Sequence, residues 1–235
     1  MGMEGKLRQV SEFELASYRK TPAKLYSDLM AKYQSENFTK FLSVAREFQE
    51  SPLMKRIQQR AMSGLPPLQE DLDALRKQQE ALVTENQEAL DEVQSDLMGL
   101  SKDGLQLSLY KDWQILHYLL TGKSWEPVDS TLGQAIMGGI EIPDVQNLMG
   151  YGPARYLAPS IVREVAAALA NFPIEQKVEA FDPQAAEDAK VYPRMHGMPQ
   201  LEKDEKEGLI NYFHLLRDFY RDASAKGHAM LLWVE

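Results

Sequence analysis

At 235 residues, 44% hydrophobic and 26% charged, the chain has ordinary globular composition, enough for one domain with an insertion or two small ones. Its formal net charge of −9 argues against a nucleic-acid backbone or an anionic membrane surface as the main partner, and would steer a basic partner protein toward it. The count of Cys is 0, which excludes disulfides, thiol nucleophiles and thiolate metal sites.

Met1 to Lys6 holds no apolar signal core, and Lys6 stands where a myristoylation signal wants Ser or Thr. The longest apolar run, Ala229 to Val234, falls far short of the ~20 residues of a spanning helix. A cytoplasmic chain is the expectation. Met3 to Val10 reads as a strand: Met3 and Leu7 share one face while Glu4, Lys6 and Arg8 point the other way, the pattern of an edge strand or one wet face. Ser11-Glu12-Phe13-Glu14 is a capping box that opens a helix. Thr21-Pro22 starts another, with Pro at the first helical position.

From about Asn37 to Gly99 the chain is rich in Gln and Glu and almost free of strand formers. Ser51-Pro52 and Gly64-Leu65-Pro66-Pro67 divide it into helices, the last spanning about Gln69 to Met98. Leu68, Leu72, Leu75, Gln79, Leu82, Asn86, Ala89 and Val93 follow the heptad seam, which Gln79 and Asn86 weaken, so a helical hairpin packed on its own chain is expected there, set against an intermolecular coiled coil. Gly99 to Gly104 is a break. Trp113, Leu116, His117, Leu120 and Thr121 then share one helical face. An indole N–H, an imidazole and a hydroxyl on that stripe each need a hydrogen-bond partner, at a cost of roughly 1–3 kcal/mol if none is found. Such a helix is built around a polar network or lines a pocket.

Thr131 to Ile142 reads as a short helix running into a strand, and Gly150 to Leu157 as a loop. Pro159 opens a helix with a core stripe of Val162, Val165, Ala166 and Leu169, which Pro173 ends. A helical patch follows from Ile174 to Ala189, then a short extended piece at Val191-Tyr192-Pro193. The last helix, about Leu201 to Ala225, buries Leu209, Tyr212, Phe213, Leu216, Tyr220 and Ala223. Gly227 sits at its left-handed cap. His228 to Val234 is apolar on both faces, which marks a central strand.

The opening Met1-Gly2-Met3, the run from Asp112 to Gly122, Leu132 to Gly139, Gly150 to Leu157, Val191-Tyr192-Pro193 and the closing Gly227 to Leu232 resemble, in order and spacing, the bacterial YfbM-like family. The likeness covers roughly residues 1–20 and 105–235, and the segment from Asn37 to Gly99 departs from the compact family pattern as an insertion. The resemblance implies a small α+β domain of unassigned function and carries over no catalytic residue. The expected architecture is a small mixed sheet that includes the N- and C-terminal strands, packed with helices, and helix-rich overall. Residues 1–36 and 100–235 form that domain, and 37–99 the helical insertion.

Thr121-Gly122-Lys123-Ser124 imitates the end of a P-loop, but His117 stands where the pattern needs its first Gly, and a helix precedes it. The segment reads as a helix C-terminus capped by Gly122. His117, His196, His214 and His228 show no metal-ligand spacing, so no metal and no cofactor are expected. His117 is the one catalytic candidate, as a pocket acid/base, set against a satisfied core histidine. In the loop from Gly150 to Tyr156, Arg155 offers a fork for a carboxylate or phosphate, set against a brace paired with an acidic residue, and Tyr151 and Tyr156 can stack or donate. Two functions follow. One is a non-catalytic module that binds a basic protein, in the manner of an immunity-type inhibitor. The other is an enzyme or small-ligand binder with a pocket at Trp113, His117, Tyr151, Arg155 and Tyr192.

A central C-terminal strand makes truncation decisive. A chain cut before His228 is expected to lose cooperative unfolding by circular dichroism; a soluble, cooperatively melting truncation would show that the strand is peripheral.

Overall fold

The computed structural model describes residues 3–31, 46, 48–85, 100–101, 103–125, 130–143, 151–192 and 200–235. Asn86, Ala89 and Val93 of the heptad seam, with Gly150, Pro193 and His196, lie outside them. The chain divides into two compact units, Met1–Ser27 with Met98–Glu235, and Asp28–Leu97.

The first unit is built on a five-stranded sheet in the order β2-β1-β5-β4-β3. Its strands are β1 (Gly5–Val10), β2 (Gln106–Ser108), β3 (Ile140–Glu141), β4 (Arg155–Leu157) and β5 (Ala229–Val234). The α+β class holds. Every pairing is antiparallel, where a mixed sheet was expected. β5 lies in the middle, as its two apolar faces require. Alternation along the strands puts Leu7, Met230, Leu232 and Leu157 on one face and Val10, Leu231 and Tyr156 on the other.

The first face carries the main core. The helices over it are α5 (Trp113–Thr121), the short α6 (Gln134–Met137), α7 (Pro159–Ala170), α8 (Ile174–Glu179), α9 (Pro183–Asp188) and α10 (Lys203–Lys226). Their buried stripes include Val162, Val165 and Leu169 of α7 and Leu209, Phe213, Leu216, Tyr220 and Ala223 of α10. Phe219 joins this set, while Tyr212 is only partly buried. Gly122 and Gly227 end α5 and α10 in the left-handed region, at φ of 72° and 67°. The opposite face is covered by α1 (Glu12–Lys20), with its Ser11–Glu14 capping box, and by the start of α2 (Pro22–Ala31). Leu15, Tyr18, Leu25 and Tyr26 are buried there.

Two strand expectations are corrected. β1 is not an edge: β2, too short to show a period, pairs with its outer side through Lys6↔Ser108 and Arg8↔Gln106. Its lysine is matched instead of wet, while Arg8 is half-buried and its Nε has no hydrogen-bond partner among the described residues. Lys6 is buried and ion-paired with Glu235 and with Glu4, at 3.6 Å for the latter. The expected loop ends as strand β4, where Leu157 pairs with Met230. In addition, Val191 and Tyr192 form no strand.

Gln9 shows how the sheet accepts a buried amide. Its Nε2 donates to Asp222 Oδ2 (2.9 Å) and to the Phe219 carbonyl (3.3 Å), and its Oε1 meets His228 Nδ1 at 3.2 Å. The amide thus ties β1 to the end of α10. The bonds that Asp222 receives from Lys226 and Gln9 hold its carboxyl below the ordinary range.

In the second unit, α3 (Pro52–Met62) and α4 (Gln69–Glu85) form a hairpin, opened by the Ser51 cap and turned at Gly64 to Pro67. Arg56 and the buried Asp71 pair at 3.0 Å across it. Leu68 and Leu72 of the seam are exposed. The helix expected to reach Met98 is described as far as Glu85.

One hydroxyl closes the far end of the sheet. Past the last paired residues of β3 and β4, Tyr26 Oη donates to the Ile142 carbonyl (2.8 Å) and accepts from the Ala154 amide (3.3 Å). Tyr26 is 2% exposed, so Tyr26→Phe leaves a buried donor and a buried acceptor unmatched. The expected loss is about 1–3 kcal/mol, read as a lower urea midpoint at unchanged slope. An unchanged midpoint would mean that the ladder holds without the bridge.

Candidate functional site

Trp113 sets the geometry of the site from beneath. A Cβ on Gly5 would overlap the Cβ and Cγ of Trp113, so only glycine in β1 lets the indole lie against the strand. Trp113 is fully buried. Its ring meets that of Trp125 edge-on, with centroids 5.4 Å apart. The indole Nε1 has no hydrogen-bond acceptor among the described residues. Beside it on α5, Gln114 donates from Nε2 to the Ser124 carbonyl (3.0 Å) and accepts from the Tyr192 amide at 3.0 Å. One buried amide thereby fixes the turn that presents Trp125.

Trp125 is 42% exposed and Tyr151 47%. Both border a hollow of about 200 Å³ whose lining also includes Ile136, Met137, Glu141, Arg155, Leu232 and Val234. Arg155 is held in place. Its Nη1 donates to the Met137 carbonyl (3.0 Å) and its Nη2 to Glu141 Oε1 (2.6 Å). Register explains the pair, because Glu141 and Arg155 stand directly opposite on β3 and β4. A second hollow, of about 430 Å³, opens beyond β3. It is lined by Thr131, Gln134, Ile140, Tyr156, Ile161 and Glu164, among others.

Of the five residues expected to form a pocket, the structure brings only Tyr151 and Arg155 together in one hollow. Trp113 lies behind it, in contact with Trp125. His117 is fully buried on α5, with its carbonyl accepting from Thr121 Oγ1 at 2.7 Å. Tyr192 is half-buried and engaged through its backbone. Tyr156 is buried on the other sheet face, under the Arg19 guanidinium at 5.2 Å. The helix α5 is itself buried on nearly every side, Gln114, Ile115 and Leu119 included, because α6 and α8 close over it. The polar stripe is therefore core. Sequence reasoning missed Trp125, Glu141 and Gln114. A lone tryptophan in the polar turn after Gly122 was the available signal for the first.

Asp112 and Tyr212 form an electrostatically tense spot at the head of α5. Burial, with Glu205 adding its charge, raises the Asp112 carboxyl above the ordinary range. Burial, then Asp112 and Glu4, raises the Tyr212 phenol. Tyr110, between β2 and α5, has φ of 45°, a strained value for a bulky side chain. Among the described residues no group of three or more His, Asp or Glu could hold a metal ion, and no helix is long and apolar enough to cross a membrane.

A family model described as a domain of unknown function, DUF1877, matches residues 68–233, a stretch that takes in α4 as well as most of the sheet. The crystal structure of a protein of unknown function, YfbM from Escherichia coli, is similar at a TM-score of 0.50 and 14% identity, over 99% of each chain. That likeness concerns the fold alone. The comparison with curated proteins yields no match.

Asp112 offers a test of the electrostatics. Because its folded-state pKa is raised, its contribution is fully present below the ordinary carboxylate range and is withdrawn as pH climbs through the folded value. Asp112→Asn is therefore expected to raise Tm at about pH 7, with solvent screening keeping the gain to about 1–3 °C. The gain should vanish near pH 4, around the ordinary aspartate value. A loss of Tm at neutral pH would show that the ionised carboxylate is stabilising there.

Proposed function

The chain belongs to the DUF1877 family of domains of unknown function, and from that premise we propose that it is a non-catalytic binding module that docks on a basic partner protein, as an immunity-type inhibitor does on its toxin. One observation carries this reading. Among the described residues, the sheet-bearing unit leaves five large apolar side chains exposed, and the two aromatic ones beside β3, Trp125 and Tyr151, share one hollow. Glu141 of β3 lines the same hollow. Clustered exposed aromatics mark protein interfaces, and Trp and Tyr are the residues on which binding energy concentrates. The net charge of −9 supplies the sign of the partner.

Burial of His117 supports this reading over a pocket enzyme, since an acid/base must reach substrate. The engagement of both terminal nitrogens of Arg155 also counts against an anion clamp at that residue.

Capture from native lysate tests the module. The wild-type chain is expected to retain a basic protein in a salt-sensitive manner, and Phe13→Ala, at an exposed site on α1, to retain it equally. The Trp125→Ala, Tyr151→Ala double variant should weaken that binding about 30-fold or more, as loss of two anchor rings implies. Capture indifferent to the double substitution, or capture of an acidic protein only, would refute the proposal.

A further inference from the structure

We propose that the hollow bordered by Trp125 and Tyr151 is a socket for one arginine side chain of that partner, its guanidinium lying on the rings and bonded to Glu141. The inference rests on the reading of the chain as a protein-binding module. Size comes first. About 200 Å³ is below the range of pockets that enclose drug-sized ligands, about 300–1,000 Å³, and suits a single side chain. The lining then sorts by depth of chemistry. Ile136, Met137, Leu232 and Val234 offer an apolar bed for a methylene stem, and long cationic side chains bury their stems while keeping the head near water.

The head meets two half-exposed aromatic side chains, and aromatic faces attract cations and stack best with a planar guanidinium. It also meets a carboxylate. Glu141 is more than half exposed and its Oε1 accepts from Arg155; an ionised carboxylate has about four lone-pair sites, so a second fork can be received. Arg155 is the less accessible of the two charges: its Nη1 and Nη2 hold the Met137 carbonyl and Glu141, and its side chain is 25% exposed against 56% for Glu141. A second copy of this chain is disfavoured, since a symmetric pairing of β3 edges would bring like charges together. A basic partner satisfies both the local carboxylate and the overall charge of −9.

The probe is a blocked tripeptide with arginine between two glycines, and its control the same peptide with neutral citrulline. The readout is the Trp125 indole N–H resonance, identified by its loss in Trp125→Phe; Trp113 and Trp233 are buried. The arginine peptide is expected to shift that resonance saturably at millimolar concentration. Citrulline should bind about tenfold more weakly, and Glu141→Gln or Tyr151→Ala should weaken the arginine peptide about tenfold; the second substitution leaves the Arg155 pair intact. Equal shifts with both peptides, or none with either, overturn the socket. Partner capture that needs Trp125 while the arginine peptide leaves its resonance unmoved also overturns the socket, but leaves the module reading standing. Arginine-selective shifts alongside capture that ignores Trp125 support the site and overturn the module reading.

Discussion

Everything in the sheet-bearing unit hangs on the ladder between β1 and β5. Six antiparallel pairs, from Gly5↔Val234 to Val10↔Ala229, join segments from opposite ends of the chain. They place Leu7 beside Leu232 under the main core, and Val10 beside Ala229 beneath α1 and α2. The remaining strands add outward from this pair and are two or three residues long, too short to stand without it. Lys6, buried at the same ladder, is held by the carboxylates that flank its two strands, Glu4 just before β1 and Glu235 just after β5. A buried ammonium is tolerated only when paired in this way.

The hollow inherits its shape from that ladder. Gly5 gives room for Trp113, Trp113 supports Trp125, and Gln114 holds the turn between them. On the opposite wall, register sets Glu141 against Arg155, and Arg155 reaches back to Met137. Charge-assisted bonds of this kind are short and directional. They explain why an arginine on a glycine-rich approach serves as a brace, and leave Trp125 and Tyr151 as the half-exposed rings on the rim of the hollow.

Much of the helical framework was legible because helix ends carry local chemistry. The Ser11–Glu14 box, Pro22, Pro52, Gly122, Pro159, Pro173 and Gly227 each act within one turn of their own backbone, and each sits where the sequence places it. The central position of β5 was equally open, since two apolar faces admit no other place. β2 and β4 were not. Strands of three residues lie below the window in which period two can be seen, and Pro153 and Pro159 around β4 read as loop punctuation. The site was less legible for a different reason. Whether Arg155 clamps a ligand or braces a turn depends on which residue opposes it, and that is a property of pairing between segments. His117 was open to both a core and a pocket reading because a helix with one apolar stripe presents its other side to water, whereas α5 is covered on nearly every side.

The order of the strands has a further consequence, for the way the protein is made. β1 leaves the ribosome before the other strands of the sheet, yet its inner edge has no mate until β5 follows; Lys6 and Glu235, which pair in the finished sheet, are 229 positions apart. Contacts of such separation must overcome a large loop-closure entropy before they return any energy. Until then the nascent chain carries Leu7, Val10 and the apolar stripes of α5 and α7 without the strand that covers them. Such surfaces invite misassociation. The sheet of this unit is therefore completed only late in synthesis, when β5 enters the gap between β1 and β4.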